Sequence, residues 1–547
     1  MHPELADSQP LNLFTGGNSP DAKPYAVLAL RLDMSASVIA SAPLPHFRWR
    51  RRINLRYSGN VIALNFPDRL THCLTLLALQ WVVFPNPVSA VSSASPALCP
   101  AQLDSEIAAI RSQHFPENRE TWGILVETID GETLYSHNAR QYITPASNTK
   151  LLTTAAALQQ LGPQYRIRTA IYQTPDGLRI VGAGDPSITQ AQLDDLAQQV
   201  AAAGIRQIDR LVAEDAYFQG SLYNPHWQWE DVQAAYGAPV NSLIFEENSI
   251  PLTLFPQNVG QPLRLEWEDA AEGKFWQVDN QTVTVAAGEP EFIELERSLT
   301  EPILSVRGQL IAGSQPEATA VAEIDPAQRF VDRLERALVA VGVQVGGTEI
   351  VTESVEVGDG VEIAAIESPS LAELVTQVNQ ESNNLYAEAI LRSLGAESDP
   401  THSSSAAAGL EAVQHALTEL GVDPSSYTLS DGSGLSRLNA ISPEALVQTL
   451  QAMAQSPFAA TYLDSLPLAG ETGTLRNRFA GTPARGNVRA KTGTISGVLA
   501  LSGYIYPDTP QALVFSIAVN YADRSVGLQR EAIDAIVLLL LRLQSCP

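Results

Sequence analysis

Lysine is almost missing from this chain. Lys23, Lys150, Lys274 and Lys491 are the four in 547 residues, while arginine supplies the other thirty basic side chains. Surface positive charge can come from either residue, but arginine does not deprotonate in a protein, so an amine that accepts protons has to be lysine. Cysteine is nearly as scarce. Cys73, Cys99 and Cys546 include no Cys-x-x-Cys pair, which excludes a zinc ribbon, an iron-sulfur cluster and a thioredoxin-type dithiol. The histidines of the main body, His114, His137, His226, His402 and His415, lack the spacing of a zinc hydrolase. Positive charge is also short overall, 34 basic against 60 acidic residues for a net charge of -26, which repels nucleic acid and anionic membrane surfaces.

Hydrophobic residues make up 45%, enough for a sizeable core, and the length fits two or three domains. Residues 1–68 are rich in Pro, Ser and Arg and carry no core-forming period, so they read as a disordered or misassigned N-terminal extension. From Arg69 the pattern changes to a positive start, an apolar run from Cys73 to Phe84, a proline break and the small-residue site Val88-Ser89-Ala90. That order is a secretory signal peptide over 69–90. The run of about 12 residues falls short of the roughly 20 that span a bilayer, so no permanent membrane anchor is expected. No Met lies between Met34 and Arg69, so a later start would use a non-AUG codon, for example at Val61. Export would place the protein outside the cytoplasm, in the periplasm, where Cys99 and Cys546 could form a disulfide.

In the exported part, a helix is predicted near 102–113, followed by a hairpin of 122–126 and 133–136 around Asp130-Gly131. Next comes a helix with Pro145 in its first turn and Leu151, Leu152, Ala155, Leu158 and Leu161 on its apolar face. Three strands, 486–494, 498–506 and 512–521, and a closing helix over 530–543 follow at the other end. Together they predict one five-stranded antiparallel sheet assembled from both ends of an α+β domain, 99–167 plus 352–547. Residues 168–351 read as a β-rich insertion of one or two subdomains, ended by an amphipathic helix over 330–341. Helical periodicity returns at 371–378, 385–394, 406–420 and 443–454.

Ser147-Asn148-Thr149-Lys150 starts the first of these internal helices, and the i, i+3 spacing puts hydroxyl and amine on one face. Alone the pair says little, but Ser382-Asn383-Asn384 lies between two predicted helices and Lys491-Thr492-Gly493-Thr494 lies on a predicted strand. The three, in this order, resemble the active-site pattern of the serine penicillin-recognising enzymes. The 235 residues from Ser147 to Ser382 narrow the resemblance to the low-molecular-mass class C penicillin-binding proteins, D-alanyl-D-alanine carboxypeptidases and endopeptidases of the peptidase S13 type. Gly182–Pro186, Tyr236–Pro239, Ser382–Glu388, Asp431–Arg437 and Leu466–Gly470 look like further signatures, and the resemblance runs from about Leu103 to Leu543.

The resemblance implies a penicillin-binding, transpeptidase-like fold with a β-rich insertion. It also implies a hydrolase that acts on peptidoglycan peptides through an acyl-enzyme on Ser147, is acylated by β-lactams as covalent inhibitors, and needs no cofactor or metal. Lys150 would be the base, its pKa lowered by burial and by the charge of Lys491. Ser382 would relay a proton to the leaving amine, and Asn384 would hold the substrate amide. Lys491, Thr492 and Thr494 would meet the terminal carboxylate, while Gly493 would serve backbone geometry. Arg437 resembles a residue that contacts the substrate side chain, Asp215 one that pairs with the amine of a diaminopimelate side chain, and Glu388 reads as structural. A β-lactamase shares the three motifs but has no need of the long insertion. A non-catalytic peptidoglycan-binding scaffold has no need of the paired amines. N-terminal sequencing of the native protein should start at Val91; a mature chain starting at Met1 would rule out the cleavage.

Overall fold

The computed structural model describes residues 53–57, 60–64 and 98–544, apart from 118, 176, 354–359, 508–510 and 523. The signal peptide at 69–90, Cys73, Cys546 and most of the 1–68 extension lie outside the described residues. Within the unit 1–92, Ile53–Tyr57 pairs antiparallel with Asn60–Leu64, a stretch to which the sequence reading assigned no element. Everything below concerns the unit 93–547.

Its central sheet has the order Val488–Ile495, Val498–Ile505, Leu513–Asn520, Thr121–Thr128, Thr133–His137, all antiparallel. The N-terminal hairpin joins the C-terminal strands where Val126 faces Phe515. The two central strands from the C-terminal part, Val498–Ile505 and Leu513–Asn520, are buried throughout, as a sheet covered on both faces requires. On one face Ile124, Val126, Leu501, Phe515 and Ile517 pack with Leu103, Ile107, Ile533, Ile536 and Leu540 of the first and last helices, Leu103–His114 and Val526–Leu540. The last helix starts four residues before the expected Arg530, because the Ser525 side chain caps its N-terminus.

The opposite face carries Leu125, Val514 and Tyr504 against a helical layer. That layer consists of Thr149–Leu161, Leu371–Gln380, Asn384–Ser398, Ser405–Glu419, Pro443–Gln455 and Ala459–Ser465. Thr149–Leu161 is its centre: every residue from Thr149 to Leu158 is buried.

Between the two parts of this domain, Arg168–Thr174 opens a separate five-stranded mixed sheet that Val361–Glu367 closes. The segment also holds two helices, Gln190–Ala202 and Pro326–Ala340, which share one core with that sheet. Two three-stranded sheets, built on Ser249–Phe255 and Ile303–Ile311, carry a second small core. Among the described residues no helix is long and apolar enough to cross a membrane.

The first and last described stretches of this unit meet where Leu98 bridges Leu543: the N–H of Leu98 donates to the Arg542 carbonyl and that of Gln544 to the Leu98 carbonyl, each at 3.0 Å. Cys99 is disulfide-bonded. The parallel bridge sets Gln544 beside Cys99, and the partner expected from the sequence, Cys546, lies outside the described residues. A non-reduced digest should yield one linked peptide pair containing Cys99 and Cys546. A Cys73–Cys99 pair, or both thiols alkylated without reduction, would overturn that pairing.

Candidate active site

Ser147 sits in a 3-10 turn, Ala146–Asn148, immediately before the α-helix that starts at Thr149, and not in the helix's own first turn as the sequence implied. The turn is tight: Ala146 adopts φ 49°. Two glycines let other backbones close on it. A Cβ on Gly434, itself at φ +84°, would lie 1.9 Å from the Ala146 carbonyl oxygen, and one on Gly493 would lie 2.6 Å from that of Pro145. No larger residue allows either approach.

This closure buries Lys150 completely and surrounds its Nζ with three oxygens. Ser147 Oγ lies at 3.1 Å, Asn384 Oδ1 at 2.6 Å and the Ser433 carbonyl at 2.5 Å. A neutral amine has two N–H donors and one lone pair. Asn384 and Ser433 offer only acceptors and take the two donors, so the lone pair is left for the Ser147 hydroxyl. Burial lowers the Lys150 pKa to about 7, against the opposing pull of Asp431 and then Glu388.

The second pair has the same form. Lys491, also fully buried, donates from Nζ to Ser382 Oγ at 2.8 Å and to the Thr492 carbonyl at 3.1 Å. Its pKa is held well below the usual lysine value, first by burial and then by the charge of Lys150. The sequence reading had expected Lys491 to lower Lys150; the charge effect is felt at Lys491 instead. Ser382 adopts φ 61°, so the two serines of the motifs each stand on or beside a residue in the left-handed region, at a cost of about 1–3 kcal/mol apiece. Both hydroxyl residues stay half-exposed above the buried amines.

Asn383 caps the Asn384–Ser398 helix and so aims Asn384, whose Nδ2 donates to the Tyr236 carbonyl at 2.8 Å. Thr492 and Thr494 alternate with Lys491 and Gly493 and turn to the other face of the edge strand, where the Thr492 hydroxyl meets that of Thr474 at 2.9 Å.

Arg437 reaches the Ser496 carbonyl at 2.9 Å and Gln228 Oε1 at 3.2 Å. The structure does not bring Asp215 to this cluster. Its carboxylate accepts from the Ser242 N–H at 2.7 Å and the Asn241 amide at 3.1 Å, and its charge acts on Arg392. The carboxylate that senses Arg437 is Asp231, which also accepts from the Tyr236 hydroxyl at 3.3 Å. Nothing local in the sequence marks Asp231; its only clue is the nearby Tyr236–Pro239 stretch.

Glu388 is the other residue whose role the sequence understated. Fully buried, it accepts from the Gly432 and Ser433 N–H groups, both at 2.9 Å, and so holds the turn whose carbonyl binds Lys150. Burial and the neighbouring Asp431 raise its pKa to about 7, against the Ser433 and Gly432 hydrogen bonds and the charge of Arg392. Among the described residues no group of three or more His, Cys, Asp or Glu is arranged to hold a metal ion.

Acylation through a neutral Lys150 should rise with pH and reach half its maximum near 7, since the protonated amine cannot accept a proton. Glu388→Gln keeps an acceptor for both N–H groups and removes a charge that raises the Lys150 pKa, so stopped-flow acylation should show the inflection at lower pH. An unmoved inflection would leave Glu388 only its clamp. Glu388→Ala, which strands two buried N–H groups, should cost roughly 2–6 kcal/mol in a denaturant melt.

A profile of the D-Ala-D-Ala carboxypeptidase 3 (S13) family matches residues 103–543. A D-alanyl-D-alanine carboxypeptidase of Actinomadura sp. (strain R39) is 36% identical over 460 residues, covering 78% of this chain and 84% of the relative. A penicillin-sensitive carboxypeptidase A of Dictyostelium discoideum is 29% identical over 462 residues, 77% of this chain and 87% of that one. Among solved structures, penicillin binding protein 4 from Haemophilus influenzae is similar in fold, with a TM-score of 0.68 at 23% identity, covering 79% of this chain and 98% of that chain.

Proposed function

We infer, from the premise that the chain belongs to the D-Ala-D-Ala carboxypeptidase (S13) family, that it is a serine-type peptidase working through an acyl-enzyme on Ser147. The observation that carries this reading is the Lys150 amine: its two donors are occupied, its lone pair faces Ser147 Oγ at 3.1 Å, and its pKa is near 7.

Lys150 takes the Ser147 proton as Oγ attacks the carbonyl of the penultimate D-alanine. The backbone N–H groups of Ser147 and Thr494 stabilise the oxyanion. The C–N bond then breaks, and the leaving amine takes a proton through Ser382, which Lys491 orients. Water, deprotonated at the same site, hydrolyses the ester and restores Ser147. The terminal carboxylate lies toward Lys491, Thr492 and Thr494, and the Asn384 amide, already held by Lys150 and Tyr236, lines the peptide's path.

Substrates in this reading are peptidoglycan peptides that end in D-alanine or are cross-linked through it, met outside the cytoplasm after export. A side chain bearing both a carboxylate and an amine suits a wall that offers Arg437 and, in place of Asp215, Asp231. β-Lactams would acylate Ser147, in keeping with a relative named penicillin-sensitive.

Ser147→Ala should abolish penicillin labelling and peptide cleavage. Lys150→Arg, which keeps charge but not basicity, should lower both by about 10³-fold or more. With the wild-type protein, a stable labelled adduct supports the peptidase; rapid hydrolysis of the label would mean a β-lactamase, and no adduct a scaffold. Retained acylation in Ser147→Ala would sink the assignment.

A further inference from the structure

Three consecutive residues of the insertion, Glu246, Glu247 and Asn248, adopt φ of 47°, 55° and 48°. Asparagine tolerates this left-handed region, but glutamate is disfavoured there, and a glycine would take the same backbone without steric cost. The turn is locked from both ends. Glu246 donates its N–H to the Ile188 carbonyl at 2.9 Å and accepts at Oε1 from the Gln190 N–H at 3.2 Å. Buried Asn248 donates from Nδ2 to the Pro239 carbonyl and to Asn241 Oδ1, both at 2.9 Å, and accepts from the Phe245 N–H at 3.1 Å. The side chain between them leaves its own segment: Glu247 Oε2 accepts from Asn383 Nδ2 at 2.8 Å.

Asn383 is the middle residue of the second motif, and its amide is used at both ends. Nδ2 donates to Glu247, while Oδ1 accepts from the Tyr386 N–H at 3.1 Å and caps the helix that starts at Asn384. An ionised carboxylate only accepts, so Glu247 fixes which end of the amide faces the helix. Asn383 is flanked by two residues of the cleft. Ser382, itself at φ 61°, accepts from Lys491 Nζ at 2.8 Å, and Asn384 Oδ1 accepts from Lys150 Nζ at 2.6 Å. The insertion thus reaches this motif twice, through the Tyr236 carbonyl at Asn384 and through Glu247 at Asn383.

We propose that Glu247 is a positioning residue for acyl transfer, which fixes the Asn383 amide and thereby sets Ser382 and Asn384 against the two buried amines. The proposal rests on the acyl-transfer reading above. A left-handed glutamate where glycine would sit freely is strain held for what the side chain reaches, and here it reaches the motif. The insertion is then part of the catalytic scaffold, and its tightest turn delivers one carboxylate to the cleft.

Positioning and mere packing predict different things of Glu247→Gly. Glycine relieves the left-handed backbone and removes the carboxylate together. The melting temperature should therefore stay level or rise, while labelled penicillin acylates the full chain about tenfold more slowly. Glu247→Gln, which keeps an acceptor oxygen for Asn383, should acylate within about threefold of the wild type. A Glu247→Gly protein that both melts lower and acylates more slowly makes Glu247 a structural clasp and overturns the proposal. So does a Glu247→Gly rate equal to that of the wild type, or a Glu247→Gln rate no better than that of Glu247→Gly. No labelling of the wild type overturns the acyl-transfer reading, and the positioning role with it.

Discussion

Two fully buried amines share one cleft, and among the described residues neither touches a carboxylate. Burying an unpaired cation is costly enough that the group sheds its proton instead. The rest of the site can be understood as what makes that state tolerable: acceptors for each remaining N–H, and no acceptor where a lone pair must stay open. Lys150 has an amide oxygen and a carbonyl for its donors, and the hydroxyl it serves is the third neighbour. Chemistry at Ser147 and solvation of Lys150 are therefore one problem with one solution.

That solution depends on backbone placement to within a few tenths of an ångström, and acidic residues supply it. Asp431 accepts from the N–H groups of Gly434 and Ser436 at 2.7 and 2.6 Å, from Asn439 Nδ2 at 2.7 Å and from Trp227 Nε1 at 2.9 Å. Glu388 adds Gly432 and Ser433. The two carboxylates make the 431–436 turn rigid while opposing, through space, the fall in the Lys150 pKa that burial causes. Position and basicity are thus set by the same two side chains, the first through their hydrogen bonds and the second through their charge.

The sheet was legible in the sequence because strands covered on both faces are written as nearly continuous apolar runs, such as Val498–Ile505, which is broken only at Ser502 and Gly503. The Gln190–Ala202 helix was not read, although Leu193, Leu196, Ala197 and Val200 carry a helical period, because the glycine- and proline-rich turns around it favoured strands. At the site, the five motif residues Ser147, Lys150, Ser382, Asn384 and Lys491 were legible because each is chemically distinctive at a fixed spacing. The carboxylate beside Arg437 was harder to read: carboxylates are common, and which of them the Arg437 charge acts on depends on how the chain folds back. That charge is felt at Asp231, through tertiary closure that no local pattern records.

The strand Thr121–Thr128 is made early, and its partner Leu513–Asn520 comes almost last. During synthesis the first hairpin must wait, one edge open, until nearly the whole chain has emerged. Such long-range pairing is slow to form and leaves an unpaired strand at risk of joining another chain. The same delay has a protective side. Lys491 arrives on the strand that follows the entire insertion, so a chain that stops before it carries Ser147 and Lys150 without the second amine, and the cleft with two buried amines exists only once that strand has been made.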